Sequence, residues 1–370
     1  MGTTIRLENV VKKFGKKEVI HSINLETREG EFSFLLGPSG AGKTTILNLI
    51  AGVVPMTSGN IYIGDRLVNN LKPMERNVAI AFESYALYPD KTVYENMEFP
   101  LNAPIRKKDL TPEQKKERVN EFAKLLQIQD LLDRYPKELS GGQRQRVALG
   151  RTLVRTPSIY LLDEPIAHLD AKLRHQMRSE LKKLQVKLGI PFICTSPDQA
   201  EAVAMADRIF LLNEGRIEQE GSSRELYFSP KNEFVALMLG EPKMNIVKME
   251  MSESSGQVFF SNKDLTLKAP PAIAKAMDGK NMPKVLDLGV RPTDFKVSFS
   301  PEEGYDEYVI DFYQINGEKF IISCTRGETK FVIESRRALG ATVELGQKIY
   351  LKWDTENFYF FDADTKEAIR

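Results

Sequence analysis

The stretch Gly37-Pro-Ser-Gly-Ala-Gly-Lys43-Thr44 constrains this chain more than any other. It fits the pattern G-x-x-x-x-G-K followed by Ser or Thr, between the apolar run Phe32-Ser-Phe-Leu-Leu36 and the helix-like Thr45-Ile-Leu-Asn-Leu-Ile50. A strand, a glycine-rich turn and a helix in that order let successive backbone N–H groups and a helix N-terminus face a polyphosphate. Lys43 then reaches the β- and γ-phosphates and the Thr44 hydroxyl binds Mg²⁺, with Gly37, Pro38, Ser39, Gly40, Ala41, Gly42 and Thr45 completing the cradle.

A second constellation lies further along. Ile159-Tyr-Leu-Leu162 reads as a buried strand delivering Asp163 and Glu164 at its C-terminal end, where open α/β sheets bind ligands. Asp163 suits Mg²⁺, directly or through water, and Glu164 suits the orientation and deprotonation of an attacking water. In Leu139-Ser-Gly-Gly-Gln-Arg-Gln-Arg-Val147, Ser140 can cap a helix whose N-terminus points at a phosphate, with Gly141 and Gly142 permitting close approach.

Phosphate loop, Ser140–Gln143 turn and acidic strand end occur in the order found in ATP-binding cassette (ABC) ATPases, which this chain resembles. The resemblance implies an α/β fold with a P-loop NTPase (RecA-like) sheet and a helical subdomain at about 91–156. It also implies ATP and Mg²⁺ as ligands, and two cassettes paired head to tail. Each ATP is then held between one subunit's phosphate loop and the other's Ser140, Gly141, Gly142 and Gln143. Phe14 matches the aromatic that stacks on adenine, with Val19 beside it.

The likeness covers the whole chain. Ser84-Tyr-Ala-Leu-Tyr-Pro89, Thr92-Val-Tyr-Glu-Asn96, Leu169-Asp-Ala-Lys-Leu-Arg174 and Asp198-Gln-Ala-Glu-Ala202 are similar to the ATPases of maltose-type importers. Leu239-Gly-Glu-Pro-Lys-Met-Asn245 and Leu288-Gly-Val-Arg-Pro-Thr-Asp294 resemble their C-terminal regulatory domain. The function implied is ATP-driven import of a carbohydrate, a polyol such as glycerol, or a glycerol phosphate. Two membrane permeases and an external solute-binding protein are the implied partners, and the Tyr85–Asn96 segment receives a helix of the permease. The implied location is peripheral, on the cytoplasmic face of the cell membrane.

Periodicity supplies the organisation. Thr111, Pro112 and Gln114 form a capping-box start, and Val119, Phe122, Ala123 and Leu126 recur on one helix face. Leu173, Met177, Leu181, Leu184 and Leu188 make another stripe, stopped by Gly189 and Pro191. Strands alternate with helices from 158 to 212, as in a mainly parallel sheet covered by helices. Near Gly240 the pattern changes to alternating runs, and Asn316-Gly317 between two of them signals a hairpin. The expected division is 1–240, the ATPase domain, and 241–370, an all-β, OB-like barrel.

Composition closes off other classes. With 52 basic and 51 acidic residues the formal net charge is +1, so no global field favours nucleic acid. The pairs Lys12-Lys13, Lys16-Lys17, Lys107-Lys108 and Lys115-Lys116 are expected on solvated faces. Cys194 and Cys324 alone cannot build a disulfide framework, which fits a reducing compartment. A single phosphate loop argues against a twin-cassette ATPase. A non-transport ATP-binding switch stays as the alternative, against which the Ser84–Asn96 segment speaks.

Three positions depart from the family pattern. Glu83 stands where the family has Gln, and its carboxylate could still ligate Mg²⁺. Pro197 stands where a switch His normally contacts the γ-phosphate, and proline offers no donor. Loss of one such donor costs on the order of 100- to 1,000-fold in rate. Ala167 and His168 replace the usual Ser and Asn, and His168 is either a substitute switch or a surface contact of the paired cassette. With its own site altered and Ser140–Gln143 intact, the chain is expected to pair with a second, related ATPase; a homodimer is the alternative.

Overall fold

A computed structural model describes residues 3–103, 110–255, 257–270, 274, 283–336 and 343–369. The pair Lys107-Lys108 lies outside them. The chain divides into two compact units, Met1–Arg224 and Glu225–Arg370.

The strands of the first unit are β1 (Ile5–Phe14), β2 (Lys17–Glu26), β3 (Phe32–Leu36), β4 (Ser58–Ile63), β5 (Arg66–Leu67), β6 (Val78–Ala81), β7 (Ile159–Asp163), β8 (Phe192–Ser196), β9 (Arg208–Asn213) and β10 (Arg216–Gly221). Its helices are α1 (Lys43–Ala51), α2 (Val93–Glu98), α3 (Pro112–Leu125), α4 (Gly141–Leu153), α5 (Ala171–Leu188) and α6 (Gln199–Met205). One sheet is antiparallel, in the order β2-β1-β4-β5. The other runs β10-β9-β3-β8-β7-β6 and is parallel except for β10 at its edge. Every residue of β3, β7 and β8 is buried, because a parallel sheet covered on both faces demands uninterrupted apolar strands. The pairings Leu36↔Ser196 and Asp163↔Thr195 bring three C-terminal strand ends side by side. That edge carries the site.

Local signals are realised at the helix ends. Thr111 accepts a hydrogen bond from the Gln114 N–H, and α3 buries Val119, Phe122 and Ala123, with Leu126 just beyond its end. Helix α5 buries Met177, Leu181 and Leu184 and stops at Gly189, whose φ of +61° is left-handed. Asp198 caps α6 through the Ala200 N–H. Two of the lysines expected in solvent are instead buried. Lys12 donates to the Pro55 carbonyl and covers the Phe14 ring at 4.6 Å, and Lys115 donates to Asn102. Long methylene stems pack while the ammonium finds an acceptor.

The second unit contains α7 (Ser223–Phe228, beginning at the junction), α8 (Glu233–Met238), β11 (Asn245–Ser254), β12 (Gln257–Ser261), β13 (Thr266–Lys268), β14 (Val285–Val290), β15 (Phe295–Ser298), β16 (Asp306–Asn316), β17 (Lys319–Arg326), β18 (Thr329–Arg336), β19 (Lys348–Trp353) and β20 (Tyr359–Asp362). Where an OB-like barrel is expected, the all-β region has two separate antiparallel five-stranded sheets, β13-β12-β11-β14-β20 and β15-β19-β16-β17-β18, around one core that includes Phe260, Leu288, Tyr308, Phe331 and Trp353. The Asn316-Gly317 hairpin joins β16 to β17. Buried Asn245 ties the two sheets. Its side-chain amide donates to the carbonyls of Val290 and Val332, and its oxygen accepts from the Val332 N–H. Arg291, 1% exposed, donates to the carbonyls of Tyr227, Ala236 and Leu239 and stacks 3.9 Å from the Tyr227 ring.

Candidate functional site

The phosphate loop is shaped by its neighbours before any ligand is considered. A Cβ on Gly37 would lie 2.1 Å from the Leu212 carbonyl oxygen, so only glycine lets the chain leave β3 beside β9. Gly40 and Gly42 have φ of +82° and +107°, the left-handed region that glycine enters freely. Gly42 also packs against Ile20 and the Val19 carbonyl, which sets half-buried Val19 beside the loop. Pro38, Ser39 and Gly40 are exposed, and nothing lies within 4 Å of a Cβ on Gly40. Buried Lys43 donates to the carbonyls of Gly37 at 2.9 Å and Pro38 at 3.0 Å.

From α1 the site continues onto β7. The Thr44 hydroxyl donates to Asp163 Oδ1 at 3.1 Å, and the Thr195 hydroxyl donates to the same oxygen at 2.6 Å. Thr195 Oγ1 in turn accepts from the Glu164 N–H at 3.1 Å. A hydroxyl and a carboxylate on one edge are hard oxygen donors of the kind Mg²⁺ takes alongside phosphate oxygens. Among the described residues no group of three or more His, Cys, Asp or Glu is placed to hold a metal.

Glu164 follows β7 with φ +46°, a left-handed conformation for a residue with a Cβ. Its carbonyl accepts from Gln145 Nε2 at 3.2 Å, the Tyr85 hydroxyl at 3.3 Å and the Ala167 N–H at 3.4 Å. Burial pushes the Glu164 carboxyl above the ordinary glutamate range, and Glu83 and Asp163 push the same way against Lys43 and His168. Burial lowers the Lys43 ammonium, opposed by Glu164, Asp163 and Glu83. Exposed Glu83 thus shares an electrostatic neighbourhood with Lys43 and Glu164.

The Ser140–Gln143 turn caps α4: Ser140 Oγ accepts from the Gln143 N–H, and the Gln143 side chain accepts from the Ser140 N–H. Gly142 lies against the His168 carbonyl. Among the described residues this turn makes no hydrogen bond to the phosphate loop. Phe14 is 49% exposed, so it is not a core aromatic; one face is covered by Lys12. Pro197 is exposed just after β8. His168 is exposed, with Nδ1 2.9 Å from the Tyr85 hydroxyl.

Sequence reasoning passed over Thr195 and Gln145. The signal for Thr195 was present: it ends the apolar run of the strand next to the one that ends in Asp163. Gln145 sits one helical turn inside α4 and is 1% exposed, a burial that its amide gives no hint of.

Comparisons with known proteins agree with this geometry. Residues 20–167 match the family model described as ABC transporter. The trehalose/maltose import ATP-binding protein of Thermococcus litoralis is 41% identical over 377 residues, covering 99% of this chain and 99% of the relative. The osmoprotective compounds uptake ATP-binding protein of Synechocystis is 40% identical over 373 residues, with 99% of each covered. An sn-glycerol-3-phosphate import ATP-binding protein of Psychromonas ingrahamii is 38% identical, covering 99% of this chain and 96% of the relative. A solved dimeric ATP-binding cassette in a post-hydrolysis state, bound to ADP and Pi, superposes with a TM-score of 0.55 at 33% identity. It covers 59% of this chain and 98% of the cassette.

Proposed function

This chain belongs to the ABC transporter family, as an ATP-hydrolysing, ATP-binding subunit of the importer type, and from that premise we propose how its own residues serve import. Backbone amides of the 37–45 loop hold the phosphates, and Lys43 exchanges its contacts with the Gly37 and Pro38 carbonyls for β- and γ-phosphate oxygens. Thr44 and Asp163, with Glu83 beside them, would hold Mg²⁺, which would supply charge neutralisation at those oxygens. Glu164 orients water and accepts its proton, and burial, by raising its carboxyl above the ordinary glutamate range, makes it a stronger base. Phe14 offers its open face to adenine, with Val19 alongside. Ser140, Gly141, Gly142 and Gln143 serve the nucleotide of a facing cassette.

The observation that carries this reading is the continuous hydrogen-bonded run Thr44–Asp163–Thr195–Glu164 at the mouth of the phosphate loop. A carbohydrate, polyol or glycerol-phosphate-type solute passes through two partner permeases, supplied by an external binding protein. No helix among the described residues is long and apolar enough to cross a membrane. As an importer ATPase subunit, the chain works peripherally at the cytoplasmic face, docked through the segment around Tyr85–Asn96.

The partner cassette is a related, intact ATPase, a reading that rests on Glu83 and Pro197 alone. The test is steady-state hydrolysis by the complex co-purified from its host, with Glu83→Gln and Pro197→His introduced together. Restored donors should raise the rate about tenfold or more at this chain's own site. Fast hydrolysis by a homodimer of the unmodified chain would overturn the heterodimer and the slow site together.

A further inference from the structure

Glu164 and Tyr85 both occupy left-handed backbone, with φ +46° and +47°. For residues with side chains such a conformation is strained and persists only where the surroundings over-determine it. The surroundings of Glu164 do so from both ends of its peptide. On the amide side, Thr195 Oγ1 accepts from the N–H, and that oxygen is itself fixed by its 2.6 Å bond to buried Asp163. On the carbonyl side, two side chains from distant segments converge, Gln145 from α4 and Tyr85 from the segment after β6. They also fix each other, since Gln145 Nε2 donates to the Tyr85 hydroxyl at 2.8 Å. Neither Gln145 nor Thr195 touches solvent appreciably, and neither bond serves a helix or strand ladder.

We propose that Tyr85, Gln145 and Thr195 are positioning residues that clamp the strained Glu164 peptide, so that its carboxylate is held where the attacking water gives up its proton. The inference rests on the reading of Glu164 as the proton acceptor and deepens it. Tyr85 is the member that reaches outward, because it lies in the same segment that is read as the permease docking site. Displacement of that segment would pull on the Glu164 carbonyl directly, without passing through the nucleotide. Thr195 ties the same peptide to the carboxylate assigned to Mg²⁺, so metal ligand and base keep a fixed relation.

The test compares Tyr85→Phe, Thr195→Val, Thr195→Ser and Glu164→Gln in the full-length chain within its purified assembly. The rate is read as the portion of hydrolysis that Glu164→Gln abolishes. Tyr85→Phe and Thr195→Val should each lower kcat for that portion about three- to tenfold, the effect of one lost hydrogen bond. KM for ATP should stay within about twofold, because neither residue touches the phosphate loop, and Thr195→Ser should restore the rate. A purely structural role would instead lower the Tm and the amount of folded protein without splitting kcat from KM. Unchanged kcat in Tyr85→Phe and Thr195→Val, with Glu164→Gln inactive, overturns the clamp alone. Full hydrolysis in Glu164→Gln removes the base and the clamp together.

Discussion

Gly37 allows a prediction that uses only geometry. Replacing it by alanine puts a methyl 2.1 Å from the Leu212 carbonyl oxygen, about 1.3 Å inside the 3.4 Å where ordinary contact begins. Both sides of that clash are main chain: Gly37 follows Leu36, which is in register with Leu211 of β9. Neither side can rotate away, so the β3–β9 pairing must open or the phosphate loop must lift. Overpacking costs about 1–3 kcal/mol, and a backbone-on-backbone contact belongs at the upper end. For a unit of this size, about 3 kcal/mol corresponds to roughly 6–12 °C of Tm. Gly40→Ala is the matched control. Its φ of +82° is strained for alanine, but nothing lies within 4 Å of the new methyl. The expected cost is about 1 kcal/mol, or roughly 2–4 °C. Thermal unfolding and ATP titration of both variants decide the matter. Gly37→Ala should also weaken ATP binding by about tenfold or more through the displaced loop, since 1.4 kcal/mol already gives that factor. A loss of Tm in Gly40→Ala equal to or larger than that in Gly37→Ala would refute the steric reasoning.

Two further outcomes follow from charge and burial. Glu164 has its pKa raised in the folded protein, so the stability it contributes is present at acid pH and lost as pH rises through the raised value. Glu164→Gln should therefore abolish hydrolysis yet raise the Tm at pH 7.5, and that gain should shrink as pH falls toward the ordinary glutamate range; a variant melting lower at pH 7.5 contradicts the sign. Asn245→Leu strands the Val332 N–H and the Val290 and Val332 carbonyls inside the second unit. Each buried unpaired group costs about 1–3 kcal/mol, so the calorimetric transition of that unit should drop by several degrees while ATP binding by the first unit is kept.

How much of this could be read from residues alone depends on the range of the interaction. The phosphate loop, the cap at Thr111, the α5 stripe and the Asn316-Gly317 turn were all legible, because each is decided within a few consecutive residues. Asp163 and Glu164 were legible from their place at a strand end. Thr195 was not singled out, since its contact with Asp163 depends on which strands become neighbours across 32 positions of chain. Tyr85 is legible as part of a docking segment, but its meeting with Gln145 and Glu164 requires a helix to be placed on the sheet. Charge pattern alone places Lys12 and Lys115 in solvent. Their ammonium groups find the Pro55 carbonyl and Asn102, acceptors that only the fold supplies.

Arg291 holds the Tyr227–Leu239 stretch mainly by its main-chain oxygens. A grip of that sort is indifferent to what Ala236 and Leu239 carry as side chains, so mutation can re-tailor this stretch over generations without loosening it. The guanidinium itself has no such latitude, because lysine brings one compact head to three acceptors fixed in different directions.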